Sequence, residues 1–240
     1  MMRAMVHRGP DDEGYEELPF GEAGPGPAVA FGFRRLAILD LTATGHQPMF
    51  HPDTGDCLVF NGEIYNFKAL RAQLQCDGVR FRGTSDTEVL LQALSTWGHA
   101  ALARLQGMFA FAFYEAKSRR VLLARDPLGI KPLYVAKGRQ GIVFASEVRA
   151  VLASGLVSTE LDPAGIATLL AYGAPQDPLT MHRAVASFPA GGYAWVPVDR
   201  DVAGISREVR RFWSFPDRTD DDSSPQQAAA DVRSLLESAV

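Results

Sequence analysis

Between Met108 and Ser146 the chain passes through four apolar segments rich in aromatic and β-branched residues: MFAFAFYEA, RVLLAR, PLYVAKG and GIVFAS. Only Lys117-Ser118, Asp126-Pro127 and Gly138 interrupt them. Short runs of this composition bounded by turn residues read as strands. Residues 28–41, Cys57 to Phe60 and Gly191 to Val196 read the same way. Helical spacing lies on either side. Phe67, Leu70 and Leu74 predict a helix over 66–75, and Ser85-Asp86-Thr87-Glu88 has the form of a capping box opening a second. His99 to Leu105, Glu147 to Ala153 and Asp162 to Tyr172 are helical as well, whereas residues 7–27 read as turns and loop. Helices set between groups of strands predict a layered α/β or α+β domain.

The chain has 240 residues, enough for one large domain or two small ones at roughly 150 residues each. A hydrophobic fraction of 47% supports a sizeable core and excludes a disordered chain. The formal net charge of −4 and basic spots no larger than pairs, such as Arg34–Arg35, argue against a nucleic-acid partner. No apolar run reaches the ~18 residues that span a bilayer, so no membrane partner is expected. Two cysteines make no disulfide framework, which predicts a reducing, cytoplasmic setting. The five histidines show no metal-ligand spacing, and no metal is expected. Residues 216–227 are polar and acidic with no apolar period, and read as a linker. Residues 228–240 begin a new amphipathic helix, which predicts the start of a further domain.

Several residues admit two readings. Asn61-Gly62 between hydrophobic runs is a hairpin-turn signal, but an Asn amide beside an unobstructed Gly N–H also suits an oxyanion hole. Glu63 and Asp86 are a strand-end charge and a helix-start charge, or two carboxylates for an ammonium group. Arg35 is a surface cation, or a planar fork for a carboxylate. Together they would read a free amino acid at both charged ends. His7 reads as a loop residue. Cys57 sits in an apolar run and reads as a core thiol, and Cys76 has no sequence neighbour to activate it.

Taken together, HRGPDDEG (7–14), FRRLAILDL (33–41), GHQPM (45–49), LVFNGEIYNF (58–67), SDTEVLL (85–91), LQGMFAFAFYE (105–115) and ARDPLGIKPLY (124–134) strongly resemble one family. It is the glutamine-dependent asparagine synthetases, in their N-terminal class II glutaminase domain. The resemblance covers residues 5–215. It implies an α+β fold of the N-terminal-nucleophile hydrolase type, an αββα sandwich of two antiparallel sheets between helical layers. It implies L-glutamine as ligand, hydrolysed through a thioester to glutamate and ammonia. The ammonia would pass to a C-terminal synthetase domain or a separate synthetase chain that uses ATP and Mg to amidate aspartate; no cofactor is expected in residues 1–240 themselves. A homodimer is the common assembly.

By this resemblance Arg35 would hold the glutamine carboxylate, with Leu36, Ala37, Ile38 and Leu39 lining the same pocket. Asn61 and Gly62 would form the oxyanion hole. Glu63 and Asp86 would take the substrate amine, Glu63 mainly through its backbone. The family's nucleophile is a cysteine at the mature N-terminus, acting with its own amine as base. Here residue 2 is Met2, and only six residues precede His7. The expectation is therefore a glutaminase domain over 1–215 without its first strand or its nucleophile, a linker over 216–227 and the opening of a synthetase domain over 228–240, inactive as it stands. The alternative is a non-catalytic scaffold or ligand-binding module like that of the β-lactam synthetases.

Overall fold

A computed structural model describes residues 1–19, 27–36, 45–198, 208–215 and 224–239. Its largest unit is a six-stranded antiparallel sheet. In chain order its strands are β3 (Met49–Phe50), β4 (Cys57–Ile64), β5 (Gly107–Glu115), β6 (Arg120–Arg125), β10 (Gly192–Pro197) and β11 (Arg210–Arg211). They lie side by side as β11-β10-β6-β5-β4-β3. A second β layer consists of two ladders. One pairs β1 (Asp12–Pro19) with β2 (Pro27–Arg35). The other orders β8 (Gly141–Ala145), β7 (Tyr134–Gly138) and β9 (Val185–Ser187).

Three apolar clusters mark three interfaces, and three interfaces require four layers. Period-two alternation sends successive side chains of a strand to opposite faces. On β4 and β5 the residues Leu58, Phe60, Phe109, Phe111 and Phe113 face one way. They bury against α1 (Phe67–Cys76), α2 (Asp86–Trp97) and a 3₁₀ segment over Gly98–Arg104. The alternate residues Cys57, Val59, Ala110 and Ala112 face the second β layer, meeting Phe31 of β2 and Val135 of β7. On that layer's far side Ala136, Val143 and Ala145 pack under α3 (Val148–Leu152) and the 3₁₀ turn Met2–Arg8. The order is thus helix, sheet, sheet, helix, and all pairings are antiparallel, as the resemblance implied.

Local signals account for several helix ends. Ser85 caps α2 by accepting the Glu88 N–H at 3.3 Å. The reciprocal half of the capping box takes another course: the Glu88 carboxylate accepts Arg82 and Gly83 N–H groups at 2.7 and 2.8 Å. Asp162 caps α4 (Pro163–Tyr172), and Gly173 ends it in a left-handed conformation. Pro225–Ala239 forms α5, three residues longer at its start than the apolar pattern suggests, with proline in the first turn where it loses no hydrogen bond.

One reading fails. Residues 12–19, expected as loop, form β1. Glu13, Glu16 and Glu17 hide the strand because its pairing, not an apolar pattern, determines it; seven consecutive register pairs from Asp12↔Arg35 to Leu18↔Val29 hold it to β2.

Candidate active site

Asn61, Gly62 and Glu63 do not turn the chain. β4 runs straight through them to Ile64, in register with β5 as Asn61↔Ala110, Gly62↔Phe109 and Glu63↔Met108. The hairpin reading is therefore replaced: a distant strand supplies the partner that a local turn would have supplied. Gly62 is required by close approach. A Cβ there would lie 2.1 Å from the Met108 carbonyl oxygen and 2.8 Å from Phe109 Cα.

The backbone groups of alternate strand residues address the same edge. Phe60 addresses the edge away from β5. Its N–H donates to Gln47 Oε1 at 2.6 Å, and its carbonyl accepts from Gln47 Nε2 at 3.2 Å. Ile64 addresses the same edge, donating to Asp86 Oδ2 at 3.0 Å. Gly62 lies midway, so its N–H points into the opening between Gln47 and Asp86. Its register partner agrees: Phe109 turns both backbone groups away from β4, its N–H to Asp126 Oδ2 at 3.3 Å and its carbonyl to Asp126 N–H at 2.8 Å. Gly62 and Phe109 are thus a non-hydrogen-bonded pair, which leaves the Gly62 donor for an acceptor from outside the ladder.

Alternation also places the side chains. Asn61 and Glu63 continue the face of Cys57 and Val59, toward the second β layer. Arg35 continues the face of Phe31 and Phe33 on β2, toward the six-stranded sheet. Arg34 lies on the opposite face, paired with Glu13 at 2.8 Å. Register sets Asp12 directly across from Arg35. Asp12 in turn meets His46 Nδ1 at 2.8 Å, one residue before the Gln47 that binds Phe60.

The electrostatics are uneven. Burial pushes the Asp86 carboxyl above its ordinary range, the Ile64 N–H and Thr87 N–H oppose that, and the Glu63 charge adds to it. The two carboxylates therefore lie within electrostatic reach of each other. The hydrogen bond from His46 holds Asp12 below its ordinary range, with a smaller contribution from Arg35. Leu36 is exposed. Ala37, Ile38 and Leu39 lie outside the described residues.

The two cysteines lie in different surroundings. Cys57 is fully buried between the sheets, and burial pushes its thiol up to about 12. Cys76 is exposed at the end of α1. His7 meets Glu147 at 2.8 Å and also contacts Arg149, fastening the first turn to the α3 region. Among the described residues no three His, Cys, Asp or Glu side chains cluster as metal ligands. None of the helices there is long and apolar enough to cross a membrane.

Sequence reasoning gave no role to Gln47, Arg125 or Asp126, although all three fall within the blocks that carry the resemblance. Gln47 is buried and takes the place of a strand neighbour for Phe60. Asp126 is 1% exposed. The available signal was a polar residue inside an otherwise apolar or turn-rich block, which must find partners once buried.

Comparison with known proteins bears on the family and the fold. Residues 1–213 match the family described as the glutamine amidotransferase domain. A putative glutamine-hydrolyzing asparagine synthetase of Mycobacterium tuberculosis (strain ATCC 25618 / H37Rv) is 39% identical over 249 residues, covering 98% of this chain and 36% of that protein. Asparagine synthetase B of Escherichia coli (strain K12) is 33% identical over 242 residues, covering 100% of this chain and 37% of that protein. The chain spans little more than a third of the length of these curated relatives. Among solved structures, the glutamine phosphoribosylpyrophosphate amidotransferase of B. subtilis superposes with a TM-score of 0.50 at 22% identity, over 78% of this chain and 35% of that one. That likeness speaks for the fold alone, a sandwich of antiparallel sheets between helical layers. By its match over residues 1–213, the chain belongs to the glutamine amidotransferase domain family.

Proposed function

We propose that this chain is the glutaminase half of an asparagine synthetase, binding L-glutamine so that its side-chain amide lies against Asn61 and Gly62. The observation that carries the reading is the Gly62 N–H turned out of the ladder between Gln47 and Asp86. A tetrahedral oxyanion formed from the amide carbonyl would accept from this N–H and from the Asn61 side-chain amide. Asp86, with Glu63 beside it, would hold the substrate ammonium. Arg35 would hold the carboxylate from the opposite β layer, so the substrate is read between the two sheets. Ammonia released there would serve an ATP- and Mg-dependent synthetase domain or chain that amidates aspartate; the names of the relatives, glutamine-hydrolyzing asparagine synthetases, support the pairing of glutamine hydrolysis with asparagine formation.

The described residues supply binding and oxyanion groups but no attacking thiol. The buried Cys57 is held protonated, and Cys76 lies at the far end of α1. The chain on its own is therefore expected to bind glutamine without hydrolysing it. Titration calorimetry with L-glutamine tests this. Saturable binding is expected, weakened by about tenfold or more in Arg35→Ala and in Asp86→Ala, each of which removes a charge-assisted contact. No heat of binding in the unaltered chain would refute the reading. Ammonia release would refute the statement that neither cysteine attacks.

A further inference from the structure

We propose that Asp126 is a positioning residue for the oxyanion-hole strand, acting through Phe109 on Gly62. The proposal rests on the reading of Gly62 as an oxyanion donor and extends it to a residue with no contact to the substrate.

Asp126 follows β6, whose last register pair is Ala110↔Arg125. The next pair would be Phe109 and Asp126, and the ladder is half regular there: Asp126 N–H donates to the Phe109 carbonyl at 2.8 Å. In a regular ladder the Asp126 carbonyl would return the bond. That carbonyl instead accepts from Gly191 N–H at 2.8 Å, and the Asp126 side chain substitutes, with Oδ2 accepting from Phe109 N–H at 3.3 Å. The same carboxylate accepts from Leu128, Ile130 and Lys131 N–H groups at 3.1, 2.9 and 2.9 Å. Four backbone donors thus converge on one buried carboxylate. Arg125 locks the same loop from outside, donating to the carbonyls of Gly129, Lys131 and Phe188 at 2.7, 2.8 and 2.7 Å.

The consequence falls on Gly62. Alternation along β5 turns Phe109 away from β4, Asp126 holds it there by taking both its backbone groups, and the pair Gly62↔Phe109 has no hydrogen bond between its members. An unclaimed Phe109 N–H would be free to seek another acceptor, and β4 would lose the fixed pairing that aims Gly62 N–H outward. The ammonia-releasing chemistry needs that donor held in place before the oxyanion forms.

The test is amide hydrogen exchange by NMR on the full 240-residue chain, unaltered and as Asp126→Asn, beside glutamine calorimetry. Asparagine is near-isosteric, but its NH2 group cannot accept. In the unaltered chain the Ile130 and Lys131 amides should exchange as slowly as those of the β5–β6 ladder, although they belong to a loop. Fast exchange there would overturn the proposal, and this arm decides even if the variant does not fold. In Asp126→Asn, Phe109 exchange should rise by about tenfold or more, and the Gly62 amide resonance should shift. Amides of α2 and β7 should stay protected. A uniform rise throughout the protein would mark a merely structural role and overturn the proposal; so would unchanged Phe109 and Gly62. Glutamine affinity should fall in the variant, and an unchanged affinity would overturn the link to the site. If the unaltered chain binds no glutamine, the functional reading fails while exchange still decides the role of Asp126.

Discussion

Asp86 Oδ2 accepts the backbone N–H of Ile64 at 3.0 Å, tying the first residue of α2 to the end of β4. This one bond joins the helix layer to the site strand. The carboxylate that does this is partly desolvated and lies near Glu63, so its charge is held at a cost.

That cost predicts a trade between stability and binding. The Asp86 carboxyl is raised above its unfolded value, so its contribution to stability is fully present below the ordinary carboxylate pKa and is lost as pH rises through the folded value. At neutral pH the ionised group therefore opposes folding. Asp86→Asn keeps an acceptor for Ile64 N–H and removes the charge. Its melting temperature at pH 7 should equal or exceed that of the unaltered chain, with the gain shrinking in acid, while glutamine binding weakens. A lower melting temperature at pH 7 would contradict this.

Gly62 should tolerate no side chain. In Gly62→Ala the new methyl would meet the Met108 carbonyl oxygen at 2.1 Å, and backbone on the neighbouring strand cannot give way as a flexible side chain can. Urea denaturation should show a loss of about 2 kcal/mol or more, the upper part of the range for overpacked sites. A loss within error would mean that β4 and β5 separate easily there.

The two thiols should differ sharply. With Cys57 buried and its thiol pushed up to about 12, and Cys76 exposed, a thiol reagent at pH 8 should label one cysteine in the native chain and both in guanidinium. Rapid labelling of both without denaturant would contradict the burial of Cys57.

Asp12 should titrate below its ordinary 3.8 because His46 donates to it. A lowered carboxyl stabilises the fold above its unfolded pKa, and that stability is lost as pH falls through the folded value. In His46→Ala the Asp12 carboxyl resonance should titrate at higher pH than in the unaltered chain. An unchanged titration would assign the shift to Arg35 instead.

The sequence made most elements legible. α1 and α2 follow from apolar spacing and from Ser85, and β4 to β8 from runs whose alternate faces are both apolar. Their two-sided burial in a sandwich is what made those strands conspicuous. β1 was hidden because its acidic residues line an edge strand whose order comes from β2. The proposed site was readable only as a set of candidate residue types, through the blocks that resemble asparagine synthetases, and not as a geometry.

What the amino-acid sequence determined by itself was which side chains are present and which local segments prefer helix or strand, because those preferences act over a few neighbouring residues. Whether Asn61-Gly62 turns or continues, which edge Gly62 N–H faces, and that Gln47 and Asp126 complete the two ladders around it were decided only by tertiary structure. Each depends on a partner that is remote in the chain, and a backbone donor acquires its direction only when the strand beside it is in place.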